Sequence, residues 1–169
     1  MSEGVEWALH SCLNLAWSGD GRAVSAARLA AWHELPAAYL NKQLQALARA
    51  GIVSSTPGPR GGFRLARPLD SITLMDVVAA VEGPDEAFRC AEIRQQGPGG
   101  GEEPPAADCA IAHAMGRAEL AWRRALAAQT LDEIRQQAER QAPEAPERLR
   151  AWLAAGAPAA PAVHRTSDN

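Results

Sequence analysis

Residues 34–66, "ELPAAYLNKQLQALARAGIVSSTPGPRGGFRLA", decide the fold. Leu40, Leu44 and Leu47 recur at the spacing of one buried helical face, Pro36 suits the first turn of that helix, and Gly51 ends it. The runs "IVSST" (52–56) and "GFRLA" (62–66) are short and extended. Between them the glycine- and proline-rich "PGPRGG" (57–62) predicts a β-hairpin with a tip longer than two residues. Just upstream, Ser25 can cap a short helix over 26–33, with Leu29 and Trp32 facing inward. Helix, tight connection, second helix and hairpin is the order of a winged helix-turn-helix. In that arrangement the second helix enters the major groove and the hairpin touches flanking backbone or minor groove.

Burying Leu40, Leu44 and Leu47 turns Ala38, Lys42, Gln45 and Arg49 outward, with Tyr39 and Asn41 flanking them. Between Glu34 and Asp70 there is no acidic residue, whereas Lys42, Arg49, Arg60, Arg64 and Arg67 are basic. The net charge of −3 conceals this local excess, which phosphate neutralisation requires. Arg60, on the glycine-flanked tip, is placed to reach into a minor groove. The expected partner is double-stranded DNA, contacted by Ala38, Tyr39, Asn41, Lys42, Gln45, Arg49 and Arg60.

Outward from this centre, residues 4–18 read as a helix with an apolar stripe of Val5, Leu9, Cys12, Leu13 and Ala16. Cys12 belongs to the core on that reading. Glu6 and His10 lie one turn apart on a different face, with Trp7 beside Glu6. After the hairpin, "SITLMDVVAAVEG" (71–83) is a helix capped by Ser71 or Thr73 and closed by Gly83. Residues 84–108 are rich in Gly, Pro and Glu with no sustained period, too long for a plain connector. A long helix is expected over 109–140, where Ile111, Met115, Ala118, Trp122 and Ala125/Leu126 form a seam for another helix. The Ala/Pro-rich tail, 141–169, reads as flexible, with at most a short helix around Trp152. The fold class is mainly α with a small β-hairpin: a winged helix-turn-helix unit over 1–83 plus a long C-terminal helix.

Glu3 and Glu6 precede the first apolar run with no basic segment, so no secretory signal is expected, and the run "AWLAAGAPAAPAV" is too short and proline-rich to span a bilayer. Three cysteines in that setting predict a reducing, cytoplasmic location. Cys90 and Cys109 bracket the irregular loop, and a thiol at a helix N-terminus, as Cys109 is, is biased toward thiolate. Glu6 and His10, at i and i+4, can close on one metal. Two cysteines, one His and one Glu complete either a tetrahedral zinc site or a two-iron cluster, and the residues leave both open. No nucleophile–base pairing or phosphate-cradling loop is present, so an enzyme is not expected.

The block "AAYLNKQLQALARAGIVSSTPGPRGGFRLARPLDSITLMDVVAAVEG" (37–83) resembles the core of the bacterial IscR/NsrR-type winged-helix regulators, and the match runs in order over 1–140. In addition, "GVEWALH" (4–10), "FRCAEIRQQGP" (88–98) and "CAIAHAMG" (109–116) are similar to a redox-sensing branch of that family. The resemblance implies a homodimeric transcription factor crossed through the helix at 109–140, with 84–108 as a cluster-binding loop. It further implies a [2Fe–2S] cluster held by Cys90 and Cys109 of one protomer and by Glu6 and His10 of the other. Trp7 would then relay the redox change to the reading helices. This loop departs from the family in lacking a middle cysteine, and position 112 is Ala where other members carry a ligating His, leaving His113 as a reserve ligand. A cluster-free regulator of the same fold, sensing by a Cys90–Cys109 disulfide, by zinc or by a small molecule, is the alternative.

Overall fold

A computed structural model describes residues 1–19, 21–59, 61–96, 98 and 109–155 of the chain. Helix α1 (Glu3–Trp17) runs through its middle, and Val5, Ala8, Cys12, Leu13 and Leu15 are all buried. The apolar face is therefore wider than the expected stripe, with Leu9 and Ala16 at its half-buried margin. Helix α2 (Ala26–Trp32) starts at Ser25, whose side chain accepts the Arg28 N–H at 3.3 Å. Helix α3 (Ala37–Arg49) follows, with Pro36 at the N-cap itself rather than in the first turn. The turn between α2 and α3 is closed by the Leu35 N–H donating to the Ala30 carbonyl at 2.9 Å.

Gly51 ends α3 with φ +68°, donating to the Ala48 carbonyl while Ile52 donates to that of Leu47. These paired bonds close a helix whose next residue must be left-handed. Strands β1 (Val53–Thr56) and β2 (Gly62–Leu65) then pair antiparallel, with Val53 opposite Leu65 and Thr56 opposite Gly62. Phe63 also exchanges backbone bonds with Val24, at 2.8 and 2.9 Å, which ties the wing to the entry of α2. Gly62 has φ +151°, and a Cβ there would fall 2.4 Å from the Val24 carbonyl carbon, so the wing passes this point only as glycine.

Helix α4 (Leu74–Glu82) opens on a reciprocal cap between Thr73 and Asp76, which selects Thr73 over Ser71. The single helix expected over 109–140 is instead two, α5 (Ala110–Ala127) and α6 (Leu131–Gln141). Thr130 and Glu133 form a second reciprocal cap at the break. Leu131 N–H donates to the Ile72 carbonyl at 2.8 Å and Leu74 N–H to that of Gln129 at 3.0 Å. Those long-range bonds, together with the fully buried Leu131 side chain, hold the chain out of helical geometry at 128–130. In the tail, the short helix expected around Trp152 is present and is packed rather than flexible. Residues 145–154 form a packed helix, α7 (Ala145–Ala154), whose Leu149 is buried and whose Trp152 ring meets Trp32 edge-on at 5.4 Å. Arg28 on α2 donates to the Leu153 carbonyl at 2.6 Å, satisfying the C-terminal end of α7. Residues 156–169 lie outside the described residues.

The core gathers Ala8, Cys12 and Leu15 of α1, Leu40, Leu44 and Leu47 of α3, Phe63 of the wing, Val77 of α4 and Leu131 of α6. The architecture is mainly helical with one small antiparallel hairpin, as the sequence predicts.

Candidate functional site

Helix α3 presents its two faces as the leucine spacing requires. Leu40, Leu44 and Leu47 are fully buried, and Ala38, Tyr39, Asn41, Lys42, Gln45 and Arg49 are all exposed. Arg60, expected at the wing tip, lies outside the described residues. Arg64 on β2 is exposed, with its Nε–H donating to Ser54 Oγ at 3.2 Å. Gln43 is buried beneath the N-terminus of α1, where a Cβ at Gly4 would come within 2.9 Å of its Nε2. Gly4 therefore sets how closely α1 approaches the reading helix, a role that "GVEWALH" did not disclose. The half-buried Trp7 meets Tyr39 edge-on, with ring centroids 5.1 Å apart.

The four expected metal ligands are brought together as two pairs. Cys90 and Cys109 line one hollow of about 530 Å³ at the head of α5, together with Glu92, His113 and Arg117. Cys109 is the N-cap of α5, and the Ala112 N–H aimed at its sulfur is the main cause of a pKa below the usual thiol range. The Ile111 N–H, the Arg94 guanidinium and a hydrogen bond with the Cys90 thiol act in the same direction. Arg94 is clamped by Glu92 through bonds of 2.5 and 2.7 Å. Glu92 has φ +47°, a left-handed backbone for a non-glycine residue, and it turns the chain back so that Arg94 faces the sulfurs.

Glu6 and His10 are exposed on α1 and border a different hollow, of about 480 Å³, with Leu9, Leu13 and Ile134. Among the described residues no group of three or more His, Cys, Asp or Glu side chains is arranged to hold a metal ion. Within one chain, then, the cysteine pair and the Glu6/His10 pair line separate hollows. His113, the reserve ligand, lies on the cysteine side, one turn along α5 from Cys109.

His33, which the sequence reading did not single out, lies beside His10. It caps the C-terminus of α2, its ring lies 5.4 Å from that of His10, and the buried Asn14 amide donates to its Nε2 at 2.8 Å. Burial, and then the His10 imidazole, lower its pKa. Cys12 behaves as expected of a core thiol: it is fully buried, and burial pushes its pKa up to about 12.

A helix-turn-helix with an exposed polar reading face and an attached wing defines a DNA-binding transcriptional regulator. The chain belongs to the Rrf2 family, described as iron-dependent transcriptional regulators, whose family model matches residues 1–137. It is 32% identical over 134 residues to YffB of Lactococcus lactis, a candidate HTH-type transcriptional regulator, covering 79% of this chain and 85% of the relative. It is 37% identical over 70 residues to the HTH-type transcriptional regulator IscR of Cereibacter sphaeroides, covering 41% of this chain and 45% of that one. Among solved structures it is similar to CymR, the global cysteine regulator of B. subtilis, with a TM-score of 0.61 and 25% identity over 81% of this chain and 96% of the other. These relatives are transcriptional regulators, not enzymes. No helix among the described residues is long and apolar enough to cross a membrane.

Proposed function

We propose that the chain is a redox-responsive repressor that works in the cytoplasm as a homodimer, in the manner of the redox sensor RsrR. Its [2Fe–2S] cluster would be held by Cys90 and Cys109 of one protomer and by the partner subunit's Glu6 and His10. The observation that carries this reading is the division of the four donors into two incomplete pairs. Each pair is accessible, and α5, beside the cysteines, exposes Ile111, Met115 and Leu120 without burying a single residue. An 18-residue helix with apolar side chains left in water is what a second protomer would cover.

The donor set fits the group. Two thiols that line one hollow, with an exposed carboxylate and imidazole at helical i, i+4 spacing, would supply the ligands of a two-iron cluster. When bound, a two-iron cluster supplies a one-electron change of charge. This chain's residues connect that place to DNA by two contacts: His10 on His33 at the end of α2, and Trp7, next to Glu6, on Tyr39 of α3. A small displacement of α1 or Trp7 would therefore act directly on the helix-turn-helix, the two-state element that sets promoter affinity.

The experiment is anaerobic purification followed by the visible spectrum and iron and sulfide analysis. A coloured protein with iron and sulfide in equal amounts supports the reading; a colourless protein, or one carrying zinc, overturns it. A second reading draws on the hollow that Cys90 and Cys109 share and on the lowered Cys109 pKa: a cluster-free regulator that senses oxidants through a disulfide between these residues. A colourless protein whose DNA affinity changes with that disulfide would establish it.

A further inference from the structure

Eighteen residues separate Cys90 from Cys109 in the sequence, yet both side chains line one hollow. The segment between α4 and Cys90 is where α5 reaches across. Glu119 on α5 accepts the Ala87 N–H at 3.0 Å. Arg123, one turn further along, donates to the Asp85 carbonyl at 2.7 Å and to the Pro84 carbonyl at 3.3 Å. The two side chains also bond each other at 2.8 Å, so neither is free to swing away, and Glu119 is 11% exposed. Three backbone groups at 84–87 are thus fastened to the helix whose first turn carries Cys109.

We propose that Glu119 and Arg123 form a latch that fixes Cys90 opposite Cys109, making them positioning residues for the thiol pair. Neither touches a sulfur. The latch acts by holding the backbone three residues before Cys90 to the same rigid body that carries Cys109, so the pair is preorganised before any ligand or oxidant arrives. The Glu119 bonds are charge-assisted, and Arg123 holds Glu119 through Nε–H while its Nη2 donates to both the Asp85 and the Pro84 carbonyl. The inference rests on the proposed use of Cys90 and Cys109 as partners, yet its test does not need a cluster.

The test is the equilibrium of the metal-free full chain with glutathione. Two protein thiols and one oxidised glutathione give the Cys90–Cys109 disulfide and two reduced glutathiones, so the equilibrium constant reads the effective concentration of one thiol at the other. Removing the latch as Glu119→Ala or Arg123→Ala is expected to lower that constant by about tenfold, the scale of losing charge-assisted bonds. Glu119→Gln keeps an acceptor for the Ala87 N–H and is expected to recover part of the loss, whereas Arg124→Ala, a charge removed from the same helix, leaves the constant unchanged. Thermal melts identify a variant that has merely unfolded, in which case the other latch variant decides. In the iron-loaded protein the same substitutions are expected to speed loss of visible absorbance several-fold. An unchanged glutathione equilibrium in both Ala variants overturns the latch. A wild-type protein that takes up no iron overturns the cluster reading alone, and the glutathione result still decides the latch.

Discussion

Two cysteines show how far environment outruns residue identity. Cys12 sits among Ala8, Leu15 and Leu44 with its pKa pushed up to about 12, whereas Cys109 has the Ala112 N–H on its sulfur and a pKa below the ordinary thiol range. At neutral pH iodoacetamide is therefore expected to label Cys109 in the folded, metal-free protein and to leave Cys12 untouched until denaturant is added. The rate at Cys109 should reach half its maximum below the pH of an unperturbed thiol, about 8.5; mass spectrometry of the labelled peptides reads both. Labelling of Cys12 in the native state would contradict the burial. On the outward face of α3, Lys42 is exposed, and on the proposed interface it would meet DNA as a charge. Lys42→Ala should weaken binding alike for all sequences and reduce the salt slope of log affinity by about one, measured by fluorescence anisotropy at several salt concentrations. The faces of α3 were legible from three leucines, because one short helix with one buried side leaves little freedom. His33 was not legible: its neighbour His10 is on another helix, and only packing of α1 against α2 brings the rings together.

At the scale of elements, the departures from expectation have one physical source. The seam from Ile111 to Leu126 continues in helical register into Ile134, so periodicity alone runs straight through 128–130. Backbone bonds from the entry of α4 decide otherwise, and "TLDE" (130–133) caps a new helix there. Helix α7 was legible as a short helix around Trp152, but its packing was not: Leu149 is buried and Trp152 meets Trp32 of α2. Helix α6 carries a testable charge cluster. Arg135 bonds Asp132 at 2.7 Å and Glu139 at 2.8 Å, and Glu139 also accepts Trp17 Nε1–H at 2.9 Å. The Arg135 bond is the main cause of a lowered Asp132 pKa, and the Trp17 bond that of Glu139. A carboxyl whose folded pKa lies below its unfolded value adds stability that is present above the unfolded value, about 4, and is lost as pH falls through the folded one. As pH falls, the lowered His33 pKa begins to cost stability below about pH 6.5, and the Asp132 and Glu139 loss adds a second drop in melting temperature below about pH 4. Trp17→Phe should flatten part of that drop; an identical acid slope in the variant would remove Glu139 from the explanation.

The whole molecule is a DNA-reading unit with an uncovered arm. Helix α5 leaves Ile111 65% and Leu120 47% exposed, although the second half of the helix packs on α4. Ile111→Glu combined with Leu120→Glu should therefore preserve the far-ultraviolet circular dichroism of the fold while converting a dimer to a monomer in sedimentation velocity. A variant that stays dimeric would place the interface elsewhere. The wing, reading helix and family were all visible in residues 34–83. The proposed site was legible as four residue types, and its division between two protomers only through the family resemblance, since spacing within one chain does not say where the two pairs lie.

If one sensing site is built from two chains, a mixed dimer reveals it. One protomer carries Cys90→Ser and Cys109→Ser, the other Glu6→Ala and His10→Ala, each with a different affinity tag so that only the mixed species is recovered. In a symmetric dimer with shared sites, one of the two sites is then complete and the other lacks all four ligands. The measurement is the iron content and visible absorbance of the mixed dimer after anaerobic reconstitution: the account predicts about half the wild-type value, with neither parent homodimer retaining any. A mixed dimer as empty as its parents, or a Glu6/His10 parent that keeps its full complement of iron, would contradict it.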